Sequence, residues 1–417
     1  ISKNGIQPMN SNDKRFIISY NGEIYNHYDL RSKLKIKKNF NTWNSTSDTE
    51  TLINYFQLMG INKTLEDVQG MFAFAIYDKL KEILYLARDP AGEKPLYYYK
   101  DTDYLIFSSD ILSFKKFKYF NSDLDYEAIN FYKRYGFIKS PNTIYKKVKK
   151  LPAGSFAKFV LKENKINIFR YFDLKNLSNE KSKNLKKNAQ ELIEQSVKKQ
   201  MLSDVKLGSF LSGGIDSSLV TAIMQKYSSN KIDTFSIGFD NAIFDESGSA
   251  TKVANFLNTH HQNYILKPQD VFDFFENVNY IYTEPFSDFS QIPTFSLSKF
   301  TKKHVKVALS GDGGDELFNG YKRYSSSKTI FKYTKFLPSK FRQSLNQLMK
   351  NFFLNKLIAN FLNRIDLGNS NFRDKLNKLC YVLEYHDFND LYSRIMSINK
   401  FESQIQENNS IGMFDNI

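Results

Sequence analysis

An apolar run, a serine, two glycines and an aspartate set among hydroxyls occupy Phe210 to Val220, FLSGGIDSSLV. Gly213 and Gly214 stand between a strand-like and a helix-like run, which leaves backbone N–H groups open at a helix N-terminus, where the dipole favours an anion. That is a phosphate cradle. It lacks the lysine of the common GxxxxGK loop; Ser212, Ser217 and Ser218 supply donors instead, and Asp216 supplies a carboxylate. A carboxylate among phosphates repels them unless a cation lies between, so Asp216 predicts Mg²⁺.

Two further stretches carry chemistry. LSGDGGDELFNGY, Leu309 to Tyr321, follows a second apolar run and crowds glycines and acids into SGDGGDE. Such a loop makes a poor fold element and a good wall for a cationic or metal-bound ligand, at the carboxyl end of a strand where parallel sheets bind ligands. NGEIYNH, Asn21 to His27, offers an amide and a backbone N–H beside a carboxylate. Taken singly, Asn-Gly reads as a turn and the Ser-x-x-Glu at Ser47 to Glu50 as a helix cap.

SGGIDSS resembles the signature of the PP-loop ATP pyrophosphatases, which bind the β and γ phosphates of ATP and cleave between α and β. SGDGGDE is similar to the corresponding segment of the asparagine synthetase family. That resemblance implies that Ser310 and Gly311 line the adenosine site, with Leu211 and Ile237 flanking the base. Asp312 and Asp315 would then lie near an aspartyl-AMP as catalytic residues, and Glu316 would be structural or metal-supporting. NGEIYNH, SDTE and RDPAGEKPLYY (Arg88 to Tyr98) resemble the class II glutamine amidotransferases. Here the resemblance implies an oxyanion hole from Asn21 and Gly22, with Glu23 and Asp48 on the amino end of glutamine. The nucleophile of those amidotransferases is an N-terminal Cys activated by its own α-amine. That Cys and a glutamine-binding Arg are expected before Ile1, and a catalytic Lys beyond Ile417, as in a fragment truncated at both ends. Cys380, in LNKLCYVLEY, reads as core.

These residues need elements to hold them. Arg15–Tyr20, GMFAFAIYD, EILYLARD, KPLYYYK and YLIFSSD are apolar and β-rich with short turns between them, and SDTETLINYFQL carries helical spacing. Residues 1–172 are therefore expected to form an α+β domain, and the amidotransferase resemblance makes it an Ntn-hydrolase-like αββα domain. DLKNLSNEKSKNLKK, residues 173–187, lacks an apolar period and reads as a linker. From residue 188 strands alternate with helices: VKLGSFL, DTFSIGF, HHQNYIL and VKVALS, separated by helical runs near Ser217, Ser247–Leu257, Asp270–Tyr280 and Ile292–Lys302. This predicts an α/β parallel-sheet domain over 188–417, the PP-loop domain of the resemblance, ending in a basic helical cap beyond Tyr324. The amphipathic cap is read as packing rather than as a membrane-surface helix.

At 417 residues and 41% hydrophobic content the chain suits two domains. Its net charge of +15 comes from lysines spread along the whole chain, so a nucleic-acid partner is not expected. The one cysteine leaves no internal disulfide or CxxC metal site, and no apolar run reaches membrane-spanning length. A cytoplasmic protein with no membrane partner is the expectation.

The resemblance implies glutamine-dependent conversion of L-aspartate to asparagine, with ATP and Mg²⁺, through aspartyl-AMP; glutamine or free ammonia supplies the nitrogen, and a homodimer is the implied assembly. The alternative within the class is a relative that amidates another carboxylate, such as a uronic acid of a surface polysaccharide. A non-catalytic ATP or glutamine sensor is disfavoured by the intact Asp216, Asp312 and Asp315.

Overall fold

The structure is a computed structural model and describes residues 5–177, 184–240, 245–344 and 380–398, with the single positions 347 and 378. The strands are β1 (Met9–Asn10), β2 (Phe16–Ile24), β3 (Gly70–Asp78), β4 (Ile83–Arg88), β5 (Tyr97–Lys100), β6 (Leu105–Ser108), β7 (Val148–Lys150), β8 (Ser155–Val160), β9 (Lys165–Arg170), β10 (Leu207–Phe210), β11 (Asp233–Gly238), β12 (His260–Ile265) and β13 (Val307–Leu309). The helices are α1 (His27–Lys38), α2 (Asp48–Asp67), α3 (Tyr126–Tyr135), α4 (Leu174–Leu177), α5 (Leu185–Gln200), α6 (Ile215–Tyr227), α7 (Ser247–Phe256), α8 (Pro268–Ile281), α9 (Gln291–Thr301), α10 (Gly314–Phe318), α11 (Lys322–Thr334) and α12 (Phe388–Met396).

Alternation of apolar residues builds the first region in layers. An antiparallel sheet runs β1-β2-β3-β4-β8-β9, and a smaller one runs β6-β5-β7. Ile18, Ile24, Phe72, Phe74 and Ile76 turn one face of the large sheet onto Leu30 and Leu34 of α1 and Leu52 and Ile53 of α2. Neighbouring positions Ala73, Ala75, Leu86 and Ala157 point the other way, against Leu96 and Tyr98, because successive side chains alternate across a strand. Tyr97, Tyr99 and Val148 then face a 3₁₀ turn at Ile111–Lys116. The α+β expectation holds. Asn21–Gly22 lies inside β2 rather than in a turn, because β2 stays paired with β3 from Phe16↔Asp78 to Ile24↔Gly70.

The second sheet is parallel, ordered β12-β11-β10-β13. Ser209 of β10 turns to α6, where its hydroxyl meets that of Thr221 at 2.8 Å. Gly208, one residue earlier, faces the opposite side: a Cβ there would lie 2.8 Å from Phe235, whose ring packs edge-on against Phe300 of α9. Helices thus cover both faces, as the alternating pattern predicts. α5 closes over α6 through Val197, Ile223 and Met224. Part of the expected linker is helical, since α4 and the start of α5 fall within 173–187; positions 178–183 lie outside the described residues.

By contact density the chain separates into residues 1–129 with 137–311, and residues 130–136 with 312–417. Among the described residues the second unit is helical, with Val382, Tyr385 and Leu391 packed against Ile330, Phe331 and Ile395. Tyr135 and Ser393 share a hydrogen bond of 2.5 Å, and Arg342 donates to the Tyr385 carbonyl at 2.7 Å. Cys380 is buried, 1% exposed. The rest of the expected cap, positions 345–346, 348–377, 379 and 399–417, lies outside the described residues.

Candidate active sites

β2 carries Asn21, Gly22 and Glu23 along one short stretch of backbone, and α2 begins at Asp48. Gly22 has φ +153, and a Cβ on it would sit 2.1 Å from the Met71 carbonyl oxygen, so only glycine lets β2 and β3 meet here. The Asn21 side-chain amide donates to Ser109 Oγ at 3.3 Å. Asp48 Oδ2 accepts from the Ile24 N–H at 3.0 Å and from the Tyr20 hydroxyl at 2.9 Å, which draws the head of α2 onto β2 beside Glu23.

Two carboxylates in one place call for a cation. Burial raises the Glu23 carboxyl above its ordinary range; Asp48 adds to the rise and Lys94 opposes it. The Tyr20 phenol is pushed well above its usual value by burial and by Asp48. An ammonium group placed between Glu23 and Asp48 would relieve both carboxylates.

The loop before α2 is set by residues that sequence reasoning passed over. Arg31 donates to Thr51 Oγ1 at 2.7 Å and to the carbonyls of Ser45 and Ser47, each at 2.9 Å, and its guanidinium lies 4.1 Å from the Trp43 ring centroid. Glu50 accepts from the Asn44 and Ser45 N–H groups at 2.7 and 2.8 Å rather than from the N-cap Ser47, so it organises the preceding loop instead of closing a capping box. The only local hint was Ser-x-x-Glu. In RDPAGEK, buried Asp89 accepts from the N–H groups of Phe72, Glu93 and Lys94 at 3.2, 2.9 and 3.0 Å. Arg88 donates to the carbonyls of Gly92, Lys94 and Leu151 at 2.7, 2.8 and 2.8 Å.

In the nucleotide region, β10 ends at Phe210 and α6 starts at Ile215, with Gly214 as N-cap. Gly213 has φ +82, and a Cβ would lie 2.7 Å from the Ala250 nitrogen; glycine permits the loop to pass under α7. Ser212 Oγ accepts from the Gly214 N–H at 3.2 Å and pairs with Ser217 Oγ at 3.0 Å, which pins the turn. Ser212 and Gly214 are exposed, whereas Ser218 Oγ is buried. Asp216 stands in the first turn of α6. Leu211 is buried against Ala250 and Ala254, so its side chain is used in packing; Ile237 in β11 is partly exposed.

The second acidic loop arrives from β13, which pairs with the opposite edge of β10. The winding runs from β10 outward to β12 and returns to β13, so the loops after β10 and β13 flank the topological switch point, where such sheets bind ligands. A Cβ on Gly311 would lie 2.6 Å from the Ser217 nitrogen and 3.0 Å from Asp216 Cβ. Ser310 and Gly311 are thereby brought against SGGIDSS. Asp312 and Asp315 belong to the second unit. There Gly313 is left-handed at φ +89, and a Cβ on Gly320 would lie 1.8 Å from Asp315 Oδ1. Glu316 accepts from Tyr321 at 2.8 Å, a bond that with burial pushes the phenol up to about 12. Among the described residues no group of three or more His, Cys, Asp or Glu side chains could hold a metal ion.

Comparison with known proteins places this geometry. The asparagine synthase family matches residues 188–408, and a glutamine amidotransferase domain matches residues 1–172. A provisionally named glutamine-hydrolyzing asparagine synthetase 2 of Methanocaldococcus jannaschii is 37% identical over 77% of this chain and 64% of its own length. Glutamine-hydrolyzing asparagine synthetase 1 of Bacillus subtilis is 35% identical over 82% of this chain and 53% of its own. Asparagine synthetase B of Escherichia coli is 30% identical over 76% and 54%. The chain thus spans about half to two thirds of the length of these relatives.

Proposed function

The chain belongs to the asparagine synthase family, and on that premise we propose that its full-length polypeptide amidates L-aspartate with nitrogen taken from glutamine. The observation that supports the reading is the seating of Gly311 on Asp216 and Ser217 at the switch point, which brings the loops after β10 and β13 against each other.

In this proposal residues 1–172 are the amidotransferase domain, 173–187 the linker and 188–417 the synthase domain. Ser212, Gly213, Gly214, Ser217 and Ser218 hold the β and γ phosphates of ATP, and Ser310 and Gly311 line its adenosine. Leu211 and Ile237 flank the base, Leu211 through its backbone because its side chain is packed under α7. An oxygen ligand at the head of α6 suits a hard cation, so Asp216 would hold Mg²⁺ together with phosphate oxygens, and the cation would neutralise the departing pyrophosphate. The aspartate side-chain carboxylate attacks the α-phosphorus, the α–β bond breaks, and pyrophosphate leaves; ammonia then attacks the acyl carbon and AMP departs. Asp312 and Asp315 act beside that acyl phosphate. On the amidotransferase side, Glu23 and Asp48 hold the glutamine ammonium, and Asn21 with the Gly22 N–H receives the oxyanion.

The same reading makes the protein a cytoplasmic homodimer. No described helix is long and apolar enough to cross a membrane. The test follows AMP and pyrophosphate release from MgATP and ammonia, with and without L-aspartate. Aspartate-dependent release accompanied by asparagine is the expected result; release that ignores aspartate would move the acceptor to another carboxylate, such as a uronic acid.

A further inference from the structure

Lys150, the last residue of β7, reaches out of the small antiparallel sheet to Glu284, in the loop between α8 and α9, with Nζ 2.7 Å from Oε2. The side chains are only 13% and 15% exposed. Lys150 Nζ also donates to the Ile138 carbonyl at 2.6 Å, while Glu284 Oε1 is buried. This is an ion pair between the small sheet β6-β5-β7, which lies against the large sheet that carries Asn21 to Glu23, and the α8–α9 loop of the region that carries the parallel sheet. It borders a cavity of about 380 Å³ lined by Tyr97, Phe137, Ile138 and the Ile281–Phe286 segment.

A pair in that position adds little net stability, because desolvation of both charges offsets most of their attraction; in some proteins such a pair serves to select one arrangement. Burial in fact raises the Glu284 carboxyl despite Lys150 and Arg88 beside it.

The pair is also linked to the glutamine side by two routes. Lys150 stands opposite Tyr97, and Tyr97 opposite Ser108; the next residue, Ser109, receives the Asn21 amide. Arg88 grips the Leu151 carbonyl at one end and the Lys94 carbonyl at the other, and Lys94 lies within electrostatic reach of Glu23.

We propose that Lys150 and Glu284 are coupling residues: their ion pair transmits the state of the glutamine side to the α8–α9 loop, so that glutamine is hydrolysed in step with ATP cleavage. The cavity leaves that loop room to shift. This rests on the amidotransferase–synthase reading given above, and neither residue touches a reacting atom in it.

The experiment uses the full-length polypeptide and counts glutamate formed per pyrophosphate released, with ammonia-driven pyrophosphate release measured in parallel. Lys150→Met and Glu284→Gln are expected to raise that ratio by about fivefold or more, the lower range of measured couplings. Ammonia-driven release should stay within about twofold of the parent, and the charge swap Lys150→Glu with Glu284→Lys should return the ratio toward the parent value. Single variants that keep the parent ratio, or a swap as uncoupled as the singles, would overturn the proposal. If the neutral variants do not fold, Glu284→Asp keeps the charge and shortens the reach, and a parent-like ratio in it overturns the proposal equally. A parent that never hydrolyses glutamine would sink the function reading along with the coupling, whereas a coupled parent with indifferent variants sinks the coupling alone.

Discussion

Gly311 lies so close to the first turn of α6 that a Cβ on it would come within 2.6 Å of the Ser217 nitrogen. Backbone atoms cannot yield as a flexible side chain can. Gly311→Ala should therefore push the β13 loop away from SGGIDSS and cost about 1–3 kcal/mol in stability, as overpacking does. Ammonia-driven pyrophosphate release should fall by at least about tenfold, since small misplacements at a reacting site are expensive. Parallel thermal melts and pyrophosphate assays check both; unchanged release would show that the two loops do not share one ligand.

Asp216→Asn keeps the size of the side chain and removes the charge that would hold Mg²⁺. The expected loss is about a hundredfold in pyrophosphate release, the scale of losing one preorganised charge-stabilising group. The half-saturating Mg²⁺ concentration should rise, and glutamine hydrolysis should fall in step with pyrophosphate release. A magnesium titration of both half-reactions reads this directly.

The glutamine side should show a pH limb of its own. Glu23 is held above its ordinary carboxyl range by burial and by Asp48. As pH falls, Glu23 therefore takes up its proton earlier than an exposed glutamate would, and the KM for glutamine should rise in mildly acidic solution. Asp48→Asn removes one of the charges that raise it, which should move the limb to lower pH. In the proposed function it also removes half of the ammonium site, so KM well above the limb should rise by about tenfold, equivalent to about 1.4 kcal/mol. KM profiles for parent and variant decide it, and coincident limbs would argue against the pairing.

Arg15 and Asp78 test the fold independently of function. Their two hydrogen bonds, 2.9 and 2.6 Å, join the start of β2 to the end of β3, and the Asp78 side chain is 3% exposed. Burial pushes the Asp78 carboxyl up, but Arg15 and the N–H groups of Leu80 and Lys81 outweigh it, so its value in the folded protein is lowered. A lowered carboxyl contributes stability above its unfolded value and loses it as pH falls through the folded one. Asp78→Ala should cost about 1–3 kcal/mol near neutrality by removing the acceptor for Arg15 and for the Leu80 and Lys81 N–H groups, and the gap between variant and parent should narrow in acid. Denaturant midpoints across pH measure it.

Local pattern was enough for much of this fold. The residues GMFAFAIYD coincide with β3, and DTFSIG falls within the predicted strand of β11, because period-two and unbroken β-branched runs are properties of neighbouring residues. α1 was missed because its mean apolar content is low and only Leu30 and Leu34 are buried apolar anchors on a lysine-rich helix. β9 was missed for a similar reason. Lys165–Arg170 alternates weakly, with exposed Ile168 and Phe169, and is held as a strand mainly by its pairing with β8.

The chemistry divides along the same line. SGGIDSS, SGDGGDE and NGEIYNH stood out by themselves, since each packs its glycines and acids into a few consecutive residues. That Asn21–Gly22 is strand and not turn depended on β3 lying alongside, and that Gly311 meets Ser217 depended on β13 returning to the far edge of β10. Arg31, Lys150 and Glu284 had no local signature at all. Their partners lie on other elements, and only the closing of sheets and helices on one another brings those charges within hydrogen-bonding distance.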